Sequence, residues 1–372
     1  MQGCTSRVAL TVNPEQIMKR LTTTTGVALL AALIGACSGE VPSAATPSDP
    51  ELAKGGPAAT AGSTAINVGA LISGSTASQA NGVNDAGDVA GFYETGSEVR
   101  PFALVSGSVV ALGSGTGLAW GISNGNAAFV VGSAASLPAR WNVTTPTAVT
   151  LLALTSGQAK GVNSAGAAVG SLGASAAMWL ADGTYVPIAT PASYTRGEGR
   201  GMNDDGLAIF QFAVSASEAA VNRAYLRLAS GAPIELPPVG TDVTSFANDL
   251  SEVVNGAVYV AGSTQSSDAV SRSVRWTVDA LSGSILATDV LATTGSHGLG
   301  VSDAGGIAGF IDIGSFRFSS YLWRGTNVLK LAPPKSGKDP RAWAMSRSGQ
   351  YVAGQAIVGA SRQAVRWTIT SP

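Results

Sequence analysis

A short motif recurs along the chain, and repetition of this kind constrains the fold more than any other feature of the sequence. The clearest copies read GVNDAGDVAGF from Gly82 and GVSDAGGIAGF from Gly300. Related copies share a small residue followed by a turn, and they begin at Gly121, Gly161, Gly201, Ala247 and Ala344. The anchors lie about 39 to 53 residues apart, which is the range of the blades in a β-propeller.

Each repeat predicts four short β-strands. The first strand ends at the anchor, and a turn such as 84–87 follows. In that turn the asparagine can hydrogen-bond its own backbone and the glycine can take a positive φ. The second strand is the Val-Ala-Gly segment, and the third ends on a residue that is large in most copies: Val105, Trp141, Trp179, Arg227, Trp276, Trp323 and Trp367. With a fourth strand added, such a unit can bury both faces only by stacking on copies of itself.

The two ends of the repeat region are incomplete in complementary ways. The last repeat stops after its third strand, at 366–370, and the segment 64–71 resembles a fourth strand on its own. Pairing them would close a ring and remove an exposed sheet edge. The sequence therefore predicts an all-β fold over residues 64–372. We expect a single seven-bladed β-propeller of four-stranded antiparallel blades, closed by the N-terminal strand completing the last blade. Because the fifth repeat matches poorly, a six- or eight-bladed ring and an open solenoid stay as alternatives.

The repeats resemble the HAF-type repeats of bacterial extracellular proteins. That family pairs a Gly-Ile-Asn-Asp-x-Gly turn with a His-Ala-Phe-Leu-Trp-like strand, and the turn half matches at 82–91 and 300–309. The second half keeps its apolar character at 102–104, 224–226 and 321–323, without the histidine. The resemblance implies an extracellular repeat protein and supplies no catalytic residues.

The N-terminal region predicts export. Lys19 and Arg20 precede an apolar run of about 11 residues, which is shorter than the roughly 20 that a transmembrane helix needs. The run ends in Ile-Gly-Ala before Cys37, which resembles a bacterial lipobox. We therefore expect residues 1–36 to be a signal peptide, with Met18 as an alternative start, and Cys37 to carry a lipid. Since Ser38 follows the cysteine, the outer membrane or cell surface is the expected location. An ordinary secretory signal is the alternative.

Residues 37–63 predict a flexible, lipidated tether, because Ala, Pro, Ser, Gly and Thr dominate them without strand or helix periodicity. Without residues 1–36 the chain keeps about 19 basic and 22 acidic residues. No basic stripe is present, so the sequence gives no reason to expect a nucleic-acid partner. The expected partners are the membrane, through Cys37, and an unidentified protein or glycan.

No catalytic set, metal site or cofactor motif stands out. His297 is the single histidine, and its glycine- and serine-rich surroundings predict an exposed loop. The acids Asp85, Asp204 and Asp303 recur at one turn position, which favours a structural role over glycoside hydrolysis. The recurring tryptophans favour packing between blades over carbohydrate stacking. We therefore expect no catalytic residues, metal or cofactor.

Variable segments between strands two and three, and between blades, are expected on one face of a propeller. Binding residues tend to lie on such segments above a rigid scaffold. The residues predicted for this face are Tyr93, Arg100, Tyr194, Arg196, Arg200, Phe316, Arg317, Lys338 and Arg341. The sequence thus predicts an anchored, non-catalytic binding or scaffolding module. The alternatives are a carbohydrate-active enzyme with carboxylates at the channel mouth and a purely structural envelope protein.

Overall fold

The computed structural model describes residues 62–125, 128–215, 221–231 and 233–370, which all belong to one compact unit. The predicted signal peptide, Cys37 and the predicted tether up to residue 61 lie outside the described residues. Within the described ranges, no helix is long and apolar enough to cross a membrane.

The described chain forms seven four-stranded antiparallel sheets, which confirms the predicted seven-bladed propeller. Strand order follows chain order in six of the sheets, with the first strand of each blade innermost; in the seventh sheet β26 is innermost and β1 outermost. Blades 1 to 3 contain the following strands: β2 (Ala77–Val83), β3 (Val89–Thr95), β4 (Glu98–Val105) and β5 (Ser108–Ala111); β6 (Gly117–Ile122), β7 (Phe129–Ala134), β8 (Leu137–Asn142) and β9 (Val149–Leu151); β10 (Gly157–Val162), β11 (Ala168–Leu172), β12 (Ser175–Trp179) and β13 (Tyr185–Pro187).

Blades 4 to 6 repeat this arrangement, and blade 7 combines the two ends of the chain. Their strands are the following: β14 (Arg196–Met202), β15 (Ala208–Ala213), β16 (Asn222–Arg227) and β17 (Pro233–Leu236); β18 (Thr244–Leu250), β19 (Ala257–Gln265), β20 (Ser271–Asp279) and β21 (Ile285–Ala292); β22 (Ser296–Val301), β23 (Ile307–Asp312), β24 (Phe318–Arg324) and β25 (Asn327–Leu331); β26 (Gly337–Met345), β27 (Tyr351–Val358), β28 (Ser361–Thr370) and β1 (Gly62–Asn67).

Strand β1 closes the ring. It runs antiparallel to β28 in continuous register, from Gly62 opposite Thr370 to Asn67 opposite Val365. The closure is as predicted, with two differences in its limits. The strand already begins at Gly62, inside the segment predicted as tether, and Gly69–Leu71 forms a single 3₁₀ turn instead of continuing the strand.

The anchor turns form as their residues predict. The Asn84 Oδ1 accepts hydrogen bonds from the backbone N–H groups of Ala86 and Asp88, at 3.1 and 2.9 Å. The fourth-position Gly87 has a φ of 75°, a value that favours glycine. The Asn84 side chain also donates to the Ser123 carbonyl of the next blade at 3.1 Å, so one side chain shapes a turn and joins two blades.

A glycine near the end of the inner strand recurs in five of the seven blades and permits close packing around the axis. A Cβ at Gly161 would lie 2.6 Å from the Gly201 Cα, which is backbone of the next blade. The tryptophans of the third strands are buried between blades, as predicted, and they are Trp141, Trp179, Trp276, Trp323 and Trp367. The indole N–H of Trp367 donates to the Ala332 carbonyl of blade 6 at 2.6 Å, so these rings bind neighbouring blades together.

Arginines at the end of the third strand add a polar clamp at four blade interfaces. Arg366 of blade 7 donates to the Gly87 carbonyl in the turn of blade 1 at 2.5 Å. Its guanidinium also lies over the Tyr351 ring, 5.2 Å from the centroid. The same clamp joins Arg140 to Gly166, Arg275 to Gly305 and Arg324 to Gly349.

Candidate functional site

The strand order divides the loops between two faces of the ring. The turns between strands one and two, and between strands three and four, lie on one side, here called the turn face. The loops between strands two and three, together with the connections between blades, lie on the other side, here called the connection face. The predicted binding residues belong to segments that end at or near the connection face.

Several of these residues lie on strands instead of on loops. Tyr93 and Arg100 are opposite each other on β3 and β4, which extend further than the sequence predicted. Arg196 begins the inner strand β14, and Arg200 is the bulged residue within it. Lys338 and Arg341 belong to the inner strand β26. The loop assignment was therefore wrong for these residues, because strands reach to the rim of the propeller.

Two of the predicted residues have structural partners. The Arg200 guanidinium lies 3.1 Å from the Glu198 carboxylate, which also binds Lys160 at 2.8 Å. Tyr194 packs on the rings of Phe212 and Tyr225, with centroid distances of 6.2 and 6.3 Å. These contacts explain both side chains as parts of the packing of blades 3 and 4.

Arg100 is also accounted for by a neighbour. Its guanidinium is paired with the Glu98 carboxylate at 2.5 Å. Hydrogen bonding to Glu98 raises the pKa of Arg100, so the pair stays charged. This exposed pair lies on blade 1, and Tyr93 beside it packs edge-on against Phe102.

The other predicted residues converge between blades 6 and 7. A cavity of about 370 Å³ opens there, and it is here called the blade 6–7 groove. Its lining includes Arg317, Phe318, Lys330, Pro333, Lys338 and Asp339. Three of these side chains are cations and one is an acid, so the groove carries net positive charge. The Arg317 Nε is 3.7 Å from the Asp339 carboxylate.

The backbone around this groove is unusual. Nine non-glycine residues of the described chain have positive φ, and one of them, Asp339, lines the groove. Three others, Ser315, Phe316 and Ser336, lie within two residues of the lining residues Arg317 and Lys338. Two of them are consecutive, in the loop between β23 and β24. There Phe316 has a φ of 59° and a side chain that is 81% exposed. Left-handed conformations of such residues are strained and concentrate at functional sites.

Arg341 lies on the inner side of the same region. Its guanidinium is 3.5 Å from the centroid of the Phe318 ring and 6.0 Å from that of Phe310. No carboxylate of the described residues comes within ion-pairing distance of it. Burial lowers the pKa of Arg341 to about 10, against the opposing influence of Asp312. The side chain is thus a partly buried cation that lies against aromatic faces.

His297 and Trp343 complete the cluster around Phe310. The imidazole of His297 stacks on the Phe310 ring with a centroid distance of 4.9 Å, and the Trp343 indole meets that ring edge-on at 5.6 Å. The Trp343 Nε1 is buried and has no hydrogen-bond partner among the described residues. His297 lies on the inner strand β22, so its prediction as an exposed loop residue was wrong. Burial lowers the pKa of His297 to about 4.

Sequence reasoning missed Phe310, Phe318 and Lys330 as members of this site. Each lies on a strand whose pattern signals only packing. Their role follows from the contact of blade 6 with Arg341 of blade 7. The exposed Phe316 beside Arg317 is the one local signal, and the sequence analysis did select both residues.

The turn face is built differently. Its acidic side chains bind the turn of the neighbouring blade: the Asp204 carboxylate accepts from the Ser164 N–H at 2.6 Å, and the Asp303 carboxylate accepts from the Glu252 N–H at 2.9 Å. The recurring acids are therefore structural, as predicted. Burial raises the pKa of Asp303, because desolvation outweighs this hydrogen bond.

The fifth blade departs from the repeat at this face. Asp249 stands where most other blades have glycine, and its carboxylate accepts from the Val301 N–H at 3.0 Å. It also pairs with Arg347 at 3.2 Å, and Glu252 approaches the same guanidinium at 3.5 Å. Burial raises the pKa of both acids. Asp249 thus joins blade 5 to blade 6 through the Val301 N–H, and the ion pairs with Arg347 join blade 5 to blade 7.

No set of three or more metal-binding side chains occurs among the residues that the structure describes. Comparison with known proteins bears on the fold. No protein-family model matches the sequence, and no curated protein matches it. Selenomethionine-substituted virginiamycin B lyase from Staphylococcus aureus superimposes with a TM-score of 0.51 and 12% identity, covering 84% of this chain and all of that chain. Its catalytically inactive variant with quinupristin gives 0.50, at the same identity and coverage.

A chain in the crystal structure of the mitotic checkpoint complex gives a TM-score of 0.50 at 14% identity, covering 92% of this chain and all of that chain. At such identities the likeness concerns the fold alone. The protein is a seven-bladed β-propeller with four-stranded blades, closed by its N-terminal strand. Its structural neighbours include an enzyme and a component of a protein assembly, so the architecture is compatible with either kind of function.

Proposed function

We propose that the protein is an exported lipoprotein, anchored to a bacterial membrane through Cys37, that acts as a non-catalytic binding module. Its binding surface is the connection face, centred on the blade 6–7 groove. The observation that carries the proposal is that Arg317 and Lys338 line this groove, beside the exposed Phe316 and with Arg341 on the ring of Phe318. Concave sites with a few placed polar groups are typical of ligand binding.

The path of the chain supports the choice of the connection face as the binding surface. Strand β1 starts at Gly62, opposite Thr370, which is the turn-face end of β28. The chain therefore enters the propeller on the turn face. A tether from Cys37 would therefore be attached on the turn face, opposite the connection face. The resemblance to HAF-type repeats of extracellular proteins agrees with this arrangement.

Lipidation can be tested on the full chain. When it is produced in a bacterium supplied with labelled palmitate, we expect the label in the protein and recovery with membranes. The Cys37→Ala variant should lose both, because its sulfur carries the lipid. Cys4→Ala is the matched control and should behave as the unaltered chain. Equal labelling of the Cys37→Ala variant would contradict the anchor.

Binding can be tested on an array of acidic, neutral and basic oligosaccharides and peptides. We expect retention on some members, and we expect its loss in the Phe316→Ser, Arg317→Ser double variant. Leu281→Ser removes a side chain that is 92% exposed on the turn face, and it should change nothing. If Leu281→Ser lost binding and the double variant did not, the binding site would lie on the turn face, which would contradict the proposal. Release of new reducing ends from a bound glycan would favour the enzyme alternative.

A further inference from the structure

Resting on the proposed binding role, we infer that the blade 6–7 groove and Arg341 together form a site for a carboxylated oligosaccharide, with the carboxylate of one sugar bound by the Arg341 guanidinium. Nothing in the fold requires a guanidinium at this position. The same position of the inner strand is occupied by Gln79 in blade 1 and by His297 in blade 6. The register shows this: Gln79 is opposite Phe92, His297 is opposite Phe310, and Arg341 is opposite Gln355.

The first step concerns the charge of Arg341. Most of the other partly buried arginines of the described chain have a partner: Arg272 binds Asp242, Arg347 binds Asp249, and Arg362 binds Glu94. Arg341 instead has the ring faces of Phe318 and Phe310, and Asp312 and Asp339 attract it from beyond ion-pairing distance. A desolvated cation without a counter-ion is unfavourable, so it is expected to gain more from an anion than an exposed one does.

The second step concerns geometry. The planar guanidinium can present two parallel N–H donors to a carboxylate, and its stacking on Phe318 holds that plane fixed. The Trp343 Nε1 is a buried donor without a partner, in contact with the same aromatic cluster. Buried donors are satisfied in most proteins, so this N–H could donate to a ligand oxygen, although the indoles of Trp120, Trp141 and Trp179 are likewise without a partner.

The third step concerns the rest of the ligand. Phe318 both contacts Arg341 and lines the groove, so the same ring borders the inner cation and the groove. The groove then offers Arg317 and Lys338 as further cations, Pro333 as an apolar surface, and the Asp339 carboxylate as an acceptor. Sugar rings combine an apolar face with hydroxyl donors, and Asp339 can accept from those hydroxyls.

The same acceptor argues against an acidic peptide. Glutamate and aspartate side chains carry no hydroxyl donor for Asp339, and the donors of an acidic peptide lie on its backbone, away from the carboxylates. A chain of uronic acids carries both a carboxylate and hydroxyl groups on every ring. The observed mixture of cations with one acid therefore favours a carboxylated glycan.

The test uses the full chain in detergent micelles and isothermal titration calorimetry. The probes are an oligomer of galacturonic acid and the same oligomer with its carboxylates methyl-esterified. We expect the acid form to bind at least about tenfold more tightly, since esterification removes the charge-assisted hydrogen bonds and keeps the sugar rings. Equal affinity of both forms would overturn the inference while leaving the proposed binding role intact.

Variants locate the site. Arg341→Gln should weaken binding of the acid oligomer by about tenfold or more, and Arg341→Lys should weaken it less, because the charge stays and the paired donors are lost. Lys338→Gln should give a smaller loss. Arg227→Gln removes a cation from the turn-face end of blade 4 and is the matched control. Thermal unfolding shows whether each variant is folded, and wild-type affinity of a folded Arg341→Gln variant would overturn the inference.

Two further probes separate the ligand classes. An oligomer of glutamic acid, matched in charge to the sugar oligomer, should bind at least tenfold more weakly. Tighter binding of that peptide would overturn the glycan assignment in favour of an acidic protein partner. Absence of binding by the galacturonic oligomer would overturn it as well. The array experiment then decides independently whether the connection face binds anything else.

Discussion

The backbone N–H of Ser348 donates a hydrogen bond to the Asp85 carboxylate at 2.7 Å, across the interface where the last blade meets the first. The two residues occupy neighbouring positions in the anchor turns of blades 7 and 1. Similar bonds link other neighbouring turns, such as Ser164 with Asp204 and Glu252 with Asp303. The acids recur because each provides an acceptor for the preceding blade, and this one joins the ends of the repeat array.

Replacing Asp85 tests this link. Asp85→Ala should lower the free energy of unfolding by about 1 kcal/mol, because the Ser348 N–H loses its acceptor. Asp85→Asn should lower it less, since Asn124 of blade 2 serves as acceptor for the Asp85 N–H with an amide oxygen. Urea denaturation followed by tryptophan fluorescence measures both. Equal loss in the two variants would show that the charge, and not the acceptor, is what stabilises the interface.

Ring closure by β1 can be tested without truncating the chain. Ala65 packs against the core of blade 7, whereas Thr64 is exposed. Ala65→Asp should lower the free energy of unfolding by about 1–3 kcal/mol, because it brings a charge against an apolar surface. Thr64→Asp should change it by less than about 0.5 kcal/mol. If urea denaturation gave the same value for both variants, packing of β1 on blade 7 would not contribute to stability.

Replacing an inner-strand glycine by alanine should destabilise the propeller. A Cβ at Gly161 would meet backbone atoms of Gly201 and Met202 at 2.6 to 2.9 Å, and backbone yields poorly. Gly161→Ala should therefore destabilise the propeller by about 1–3 kcal/mol or more. Gly115→Ala, at a glycine with open space and no positive φ, should be neutral or slightly stabilising. A neutral Gly161→Ala in thermal unfolding would mean that the inner strands are farther apart than the structure places them.

His297 should make the fold sensitive to acid. Burial lowers its pKa to about 4, chiefly by desolvation, with Arg341 adding to the effect and Asp312 opposing it. The unfolded chain takes up this proton near pH 6.5, so the contribution is complete above that pH and is lost as the pH falls from about 6.5 to 4.

The lowered pKa is worth at most about 3 kcal/mol in the free energy of unfolding. His297→Phe keeps an aromatic ring on Phe310 and removes the titrating group, so its stability should fall less between pH 6.5 and 4. Urea denaturation of both chains at several pH values measures the difference. Parallel pH profiles would show that His297 is solvated in the folded state.

The repeat motif correctly predicted the anchor turns, because the residues of the motif themselves form the turn. Asn84 and Gly87 fix a turn through contacts within a few residues, and that information is local. Ring closure could be predicted because the last repeat has three strands where the others have four, and the segment before the first repeat supplies one more. The prediction for His297 was wrong because the glycines around it were interpreted as a loop. Gly298 instead permits close packing, since a Cβ there would be 2.8 Å from the Gly262 carbonyl oxygen.

The site itself depends on contacts between distant parts of the chain. Arg341 and Phe318 belong to different blades, and only the stacking of blades brings ring and guanidinium together. The inner strands also contain a bulge that changes which residues face the channel, and local alternation does not reveal it. The poor match of the fifth repeat has a similar origin. Asp249 stands where most blades have glycine, and its carboxylate binds Arg347, which is 98 residues away in the chain.

The antiparallel pairing of β1 with β28 has a mechanical consequence. Gly62 lies at the turn-face end of the pair and Asn67 at the other end. A pull on the N-terminal segment, resisted by a ligand on the connection face, is directed along the strand axis. The hydrogen bonds from Gly62–Thr370 to Asn67–Val365 would then bear the force together in shear, instead of opening one after another. The strand that completes the ring is therefore also the part of the propeller best placed to carry tension.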